Sequence, residues 1–172
     1  SAADLWYVFD YDNSTGFTAV NTMGSDSSFT ADVFSPTLTE VTAVTTPTND
    51  TTPNYTFSSI EAGTISYGGS CSSSTSSASA DNNTVTFNTL SEGTYSDCKI
   101  RVTDSASNTS DNLSVSTFII DTTAPTLSEV TAITTPSSDN TSSYTFYSND
   151  SGTITYGGSC SSSTSSASLG NN

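Results

Sequence analysis

The stretch Leu90–Asp104, LSEGTYSDCKIRVTD, decides the fold. Its second half alternates: Cys98, Ile100 and Val102 point one way, Lys99, Arg101 and Thr103 the other. That is the period of two of a strand with one apolar and one wet face. The first half, with Ser91 and Gly93 around apolar Leu90 and Tyr95, reads as a corner leading into that strand. Working outward, short alternating segments bounded by turn residues predict further strands at Leu38–Val44, Tyr55–Ser59, Thr64–Tyr67, Val85–Thr89, Cys98–Thr103 and Leu113–Ile120. No stretch has a helical period, so the chain is expected to be all-β.

The block PTLTEVTAVTTPTNDTTPNYTFSSIEAGTISYGGSCSSSTSSAS from Pro36 returns as PTLSEVTAITTPSSDNTSSYTFYSNDSGTITYGGSCSSSTSSAS from Pro125, a period of about 89 residues. A unit of that size is a whole domain and not a solenoid turn, and it fits a sandwich of about 100 residues. Residues 36–124 form one complete repeat and residues 125–172 the first half of a second. Residues 1–35 end in FTADVFSPTL, which aligns with FIIDTTAPTL at the close of the complete repeat. Their LWYVFDYDNSTG also echoes KIRVTDSASNTS, so the leading segment reads as a terminal half-repeat or a donor-strand segment.

Composition narrows the function. Of 172 residues, 32% are hydrophobic and 11% charged, while Ser and Thr fill 70 positions. Low hydropathy with net charge favours disorder, but eight Phe, eight Tyr and many Thr and Val argue for a folded, β-rich chain. Two basic against 17 acidic residues give a net charge of -15, which repels phosphate backbones and anionic headgroups, so nucleic acid and membrane surfaces are excluded as partners. No apolar run is long enough for direct membrane insertion, and SAADLWYVFD lacks the basic start and apolar core of a signal peptide, as expected of a mature or excised chain.

Leu90, Gly93 and Tyr95 ahead of a Cys-bearing strand resemble the corner before the sixth strand of immunoglobulin-like sandwiches, with the interval from Tyr95 to Cys98 one residue longer. With VTDSASNTS and the junction DTTAPTLSEV, the chain resembles the bacterial Ig-like repeats carried in tandem by large surface adhesins, whose pattern reads V-T-D-x-A-G-N and then D-x-T-A-P; Ser107 stands where the family has Gly. The resemblance covers residues 36–172 well and 1–35 loosely. It implies Ig-like β-sandwich repeats at a bacterial cell surface, acting as a spacer or fibre-forming unit without catalysis. Its expected partners are neighbouring Ig-like repeats or further copies of the chain, joined head to tail by strand complementation. The alternative is a carbohydrate- or receptor-binding module that takes host or surface glycans, which would need a groove with exposed aromatics.

The repeat places Cys71 and Cys98 in one unit and Cys160 at the position of Cys71 in the next. The first two are read as a disulfide worth roughly 3–4 kcal/mol and an oxidising compartment, or else as two structural thiols. Without His they have no zinc partners. Cys160 is left as an unpaired or intermolecular thiol. Acidic residues recur as well: Asp32 returns as Asp121 and Glu40 as Glu129, flanking the junctions, with Asp104 in the turn after the Cys98 strand. Hard oxygen ligands of this kind suit calcium, as in the linkers of related adhesin arrays, and solvated junction carboxylates with Asp104 capping its turn are the plainer reading. No D-x-D-x-D-G loop is present.

Catalysis finds little footing. Absence of His removes the commonest base, and the many Ser lack an activating partner. Lys99 faces away from Cys98 and Ile100, which excludes an isopeptide. The recurrent GGSCSSSTSSAS segments and about eight N-x-S/T sequons, including Asn54, Asn108 and Asn140, mark exposed loops open to glycans. Leu5, Trp6, Val8 and Phe9 are the apolar candidates for a contact between subunits.

Overall fold

The computed structural model describes residues 7–12, 16–21 and 29–172, with side chains from Ala31 onward. The chain divides into two compact units, Ser1–Thr122 and Thr123–Asn172. All regular structure among the described residues is β.

In the first unit, β1 (Tyr7–Asp12), β2 (Gly16–Asn21) and β3 (Phe29–Ala31) form an antiparallel meander that pairs with nothing else described. The sandwich follows. One sheet has the order β4-β5-β8, from β4 (Leu38–Thr42), β5 (Asn54–Ser59) and β8 (Asp81–Thr86). The other has the order β11-β10-β6-β7, from β6 (Gly63–Gly68), β7 (Ser77–Ala78), β10 (Lys99–Thr103) and β11 (Leu113–Ser114). A two-stranded piece joins β9 (Gly93–Tyr95) to β12 (Phe118–Ile120). The expected strand Leu113–Ile120 is thus split. Its second half leaves the β10 edge to pair with β9, while Thr48 bridges Ile120 in parallel and its amide donates to the Ile119 carbonyl at 3.0 Å.

Alternation explains the packing. In β5, Tyr55, Phe57 and Ser59 are buried, and in β10, Ile100 and Val102 are buried between exposed Lys99 and Arg101. The register sets Tyr55 opposite Val85 in one sheet and Val102 opposite Ile65 in the other. These residues share one apolar cluster with Val44, Phe87, Leu90, Phe118 and Ile120. Through it runs an aromatic ladder, Phe57, Tyr55, Phe87, Phe118 and Tyr95, with successive ring centroids 6.4, 6.0, 6.1 and 5.2 Å apart. Aromatic neighbours at these separations add directional attraction to their buried area. The two layers and their common core make this a sandwich-like all-β domain. At the corner, the Tyr95 hydroxyl donates to the Ser91 carbonyl at 2.8 Å, so the longer interval to Cys98 does not prevent Tyr95 from pinning the turn.

The second unit retraces the first half of that domain. β13 (Leu127–Thr131), β14 (Thr145–Ser148) and β17 (Gly170–Asn171) form one sheet, and β15 (Gly152–Thr153) pairs with β16 (Ser166–Ala167). The irregular register between Glu129 and Thr131 repeats that between Glu40 and Thr42. The Tyr67 hydroxyl bond to the Thr75 carbonyl returns as Tyr156 to Thr164, and the Asn83 amide loop returns at Asn172. Burial does not repeat. Tyr55 is 0% exposed and Tyr144 49%; Val44 is 4% exposed and Ile133 43%. In the first unit those faces are covered by residues 85–120, whose counterparts have no place among the described residues of the second.

Candidate functional site

The sharpest concentration of charge lies where the leading segment meets the sandwich. Asp32 follows β3, Glu61 sits in the β5–β6 connection, and Asp104 follows β10. One carboxylate oxygen from each lies within 4.8 Å of the others. Asp104 is buried and well bonded: Oδ1 accepts the Asn108 amide at 2.8 Å and Oδ2 accepts Asn108 Nδ2 at 2.9 Å. Asn108 Nδ2 also reaches the Asp32 carbonyl at 3.2 Å, tying the turn to the leading segment. Burial works against an ionised Asp104, but the bonds from Asn108 and from the amides of Ala106 and Ser107 hold its carboxyl below the ordinary value. Ser107 makes that turn with a φ of 74°, the left-handed conformation that Gly adopts most readily.

Glu61 is the uncompensated member. Its Oε2 is buried and accepts no hydrogen bond. Burial first, and then the charges of Asp32 and Asp104, push its carboxyl above the ordinary value. Three converging carboxylates with one unsatisfied oxygen fit a hard divalent cation, which takes oxygen ligands at about 2.3–2.6 Å. Sequence reading named Asp32 and Asp104 but passed over Glu61. The repeat held the signal, since Asp32 and Glu61 return one period later as Asp121 and Asp150.

The other residues named as metal candidates lie elsewhere. Glu40, on β4, is occupied: Oε2 accepts the Ser116 amide at 2.9 Å and Oε1 the Ser116 hydroxyl at 2.6 Å. Burial opposes its charge, yet these two bonds keep its carboxyl below the ordinary value. Glu40 therefore clamps the β11–β12 connection to β4. The Tyr55 hydroxyl, buried near that carboxylate, is pushed up by its burial and then by the charge of Glu40. Glu129 is the same position on β13, and Asp121 follows β12, where its amide donates to the Thr48 carbonyl at 2.9 Å.

Cys71 and Cys98 are joined in a disulfide with Cα atoms 5.2 Å apart, closing 27 residues. It links the chain just after β6 to the residue before β10, the two interior strands of one sheet, and is thus a staple within a sheet and not between layers. Gly69 permits it: with φ 75° it turns the chain against the Asp97 carbonyl, where a Cβ would collide. Asp97 then accepts both the Ser70 amide, at 3.2 Å, and the Ser70 hydroxyl, at 3.0 Å. At the counterpart Gly158, φ is 68° and nothing comes within 4 Å. Cys160 is an exposed free thiol.

Lys99 and Arg101 are exposed, and the Arg101 guanidinium reaches only the Ser110 carbonyl, at 3.3 Å. The Ser-rich segment 70–79 is mostly exposed but contains buried Cys71 and Ala78 and the short β7. Asn54 and Asn140 are exposed, whereas Asn108 is spent on the carboxylate turn. Val8 and Phe9 lie on β1; their side chains, and all of Leu5 and Trp6, fall outside the described residues. No helix among the described residues is long and apolar enough to cross a membrane. No family model, curated protein or solved structure matches the chain.

Proposed function

We propose that the chain is a structural, non-catalytic segment of an Ig-like repeat array on a bacterial cell surface, acting as an extracellular spacer whose complete unit bears load between its neighbours. The observation that carries this reading is the repeat in three dimensions: a stapled sandwich followed, one period later, by the same strands and the same hydrogen bonds. The corner bond of Tyr95, the parallel bridge to β12 and the V-T-D turn at Asp104 all favour an Ig-like form of the sandwich. The disulfide suits an oxidising, extracellular setting.

Calcium at Asp32, Glu61 and Asp104 belongs to the same reading. A cation there would fasten the entry segment, the β5–β6 connection and the end of β10, and its charge would offset the repulsion at Glu61. The glycan-binding alternative draws on Trp6, whose side chain is outside the described residues, and on exposed aromatics such as Tyr144, Tyr147 and Tyr156.

Pulling the whole chain from its ends in a force spectrometer tests the spacer role. The first unit is expected to yield in one step and refold on relaxation, and reduction of the disulfide should lengthen that step by roughly 90–100 Å, the extended length of the 27 residues it shields. Extension without a force peak, or saturable quenching of Trp6 fluorescence by a surface oligosaccharide, would overturn it.

A further inference from the structure

The disulfide is closed off from solvent by the fold that it staples. Cys71 is 4% exposed and Cys98 1%, and both belong to the apolar cluster of the sandwich. Cys98 comes one residue before β10, an interior strand flanked by β6 and β11, and its carbonyl accepts the Val115 amide at 3.0 Å. Uncovering its sulfur means parting strands in the middle of a sheet.

Cys71 is held down by the Ser-rich segment in which it lies. Asp97 accepts two bonds from Ser70, at 3.2 and 3.0 Å. The Asn88 amide donates to the Ser72 carbonyl at 2.8 Å, Asn88 Nδ2 to the Ser72 hydroxyl at 2.9 Å, and the Ser73 hydroxyl to the Thr86 carbonyl at 2.6 Å. The Tyr67 hydroxyl donates to the Thr75 carbonyl at 2.7 Å and the Ile65 amide to the Ser76 carbonyl at 2.9 Å. Thr86 belongs to one sheet, Ile65 and Tyr67 to the other. Residues 70–76 are therefore a strap fastened to both layers, and they come away only when both let go. Thiol–disulfide exchange requires a thiolate to reach a sulfur, so access limits its rate. Neither sulfur offers that approach in the closed sandwich, and the Asp97 carboxylate beside Cys98 repels an incoming anion.

We infer that the Cys71–Cys98 bond is a latent redox site: small thiols reach it only when the first unit unfolds, so tension on the chain decides whether it is cut. This adds a regulation to the spacer reading and rests on that reading for the source of the tension. Under load alone the unit yields up to the staple, and the 27 residues it closes stay unextended. In the opened unit a thiolate attacks one sulfur, forms a mixed disulfide and expels the other cysteine as a thiolate, which takes a proton. A second thiol then releases the reductant as its own disulfide, both cysteines are left as thiols, and the held length is freed. The spacer lengthens in reducing surroundings only while it is stretched.

The full chain carrying Cys160→Ser, in which the staple supplies the only thiols, is incubated with dithiothreitol across a urea series, and new thiols are counted by alkylation and mass. Without urea, reduction is expected to be at least about a thousandfold slower than in urea that unfolds the first unit. Across the series its rate should track the unfolded fraction. Asp97→Ala, which takes two bonds from the strap, should speed reduction only by the factor by which it raises that fraction. Reduction of the folded chain at the unfolded rate, or an acceleration by Asp97→Ala beyond that factor, would overturn the inference. In a force spectrometer with the dithiol present from the start, two separate steps are expected, the shielded length following the first. One step of the full length would also overturn it. The urea series needs no load, so a chain without a force peak removes the spacer reading while the gating is measured on its own.

Discussion

At the scale of single residues, the carboxylates do opposite things with the same chemistry. Glu40 is satisfied by Ser116, and its lowered pKa makes it a stabilising charge: the contribution is present above the unfolded value and is lost as pH falls through the folded one. Ser116→Ala is expected to cost about 1 kcal/mol at neutral pH, roughly 4–8 °C in melting temperature, and Glu40→Gln should flatten the acid limb of the stability curve. Thermal melts between pH 3 and 7 check both. Glu61 behaves in the reverse sense, since a raised carboxyl loses stability as pH rises. Glu61→Gln should therefore raise the melting temperature in chelator and abolish the further rise that calcium gives the natural chain. A calcium response unchanged in Glu61→Gln would remove the carboxylate group from the proposed function.

At the scale of elements, the strands owe their stability to different partners. The β6–β10 pair carries the disulfide, and Cys71→Ser/Cys98→Ser should lower the stability of the first unit by roughly 3–4 kcal/mol in denaturant titration, the loop-closure value for 27 residues. Strands at Leu38, Tyr55, Thr64 and Cys98 were legible because alternation and turn residues bound them. The split of Leu113–Ile120 was not, because LSVSTFII alternates throughout and only pairing with β9 decides where the chain leaves the β10 edge. The short β7 and β9 were hidden for the same reason: two or three residues drawn from Ser, Ala, Gly, Thr and Tyr carry no period, and their neighbours alone define them. Glu61 was passed over because a single acid in a turn has no pattern within one repeat.

At the scale of the molecule, sequence identity between repeats does not yield equal burial. The core residues of the first unit are closed over by residues 85–120, and their repeats at Ile133, Tyr144 and Phe146 have no equivalent cover among the described residues. Hydrogen exchange is expected to protect the amides of β5, β6 and β10 by the global stability of the first unit, and those of β14 and β15 far less.

The sequence by itself determined the class, the period and the staple. Alternation marks a strand in any context, and a repeat of whole-domain length fixes where domains can begin and which cysteines share one. The tertiary structure alone decided which of two equal faces is buried, which carboxylates meet, and which of them is left unsatisfied. Those properties depend on groups far apart in the chain: Asp32 comes beside Asp104, and Glu40 finds Ser116, only through the closing of the sandwich. Burial follows cover, and the same apolar residue is core in one unit and surface in the next.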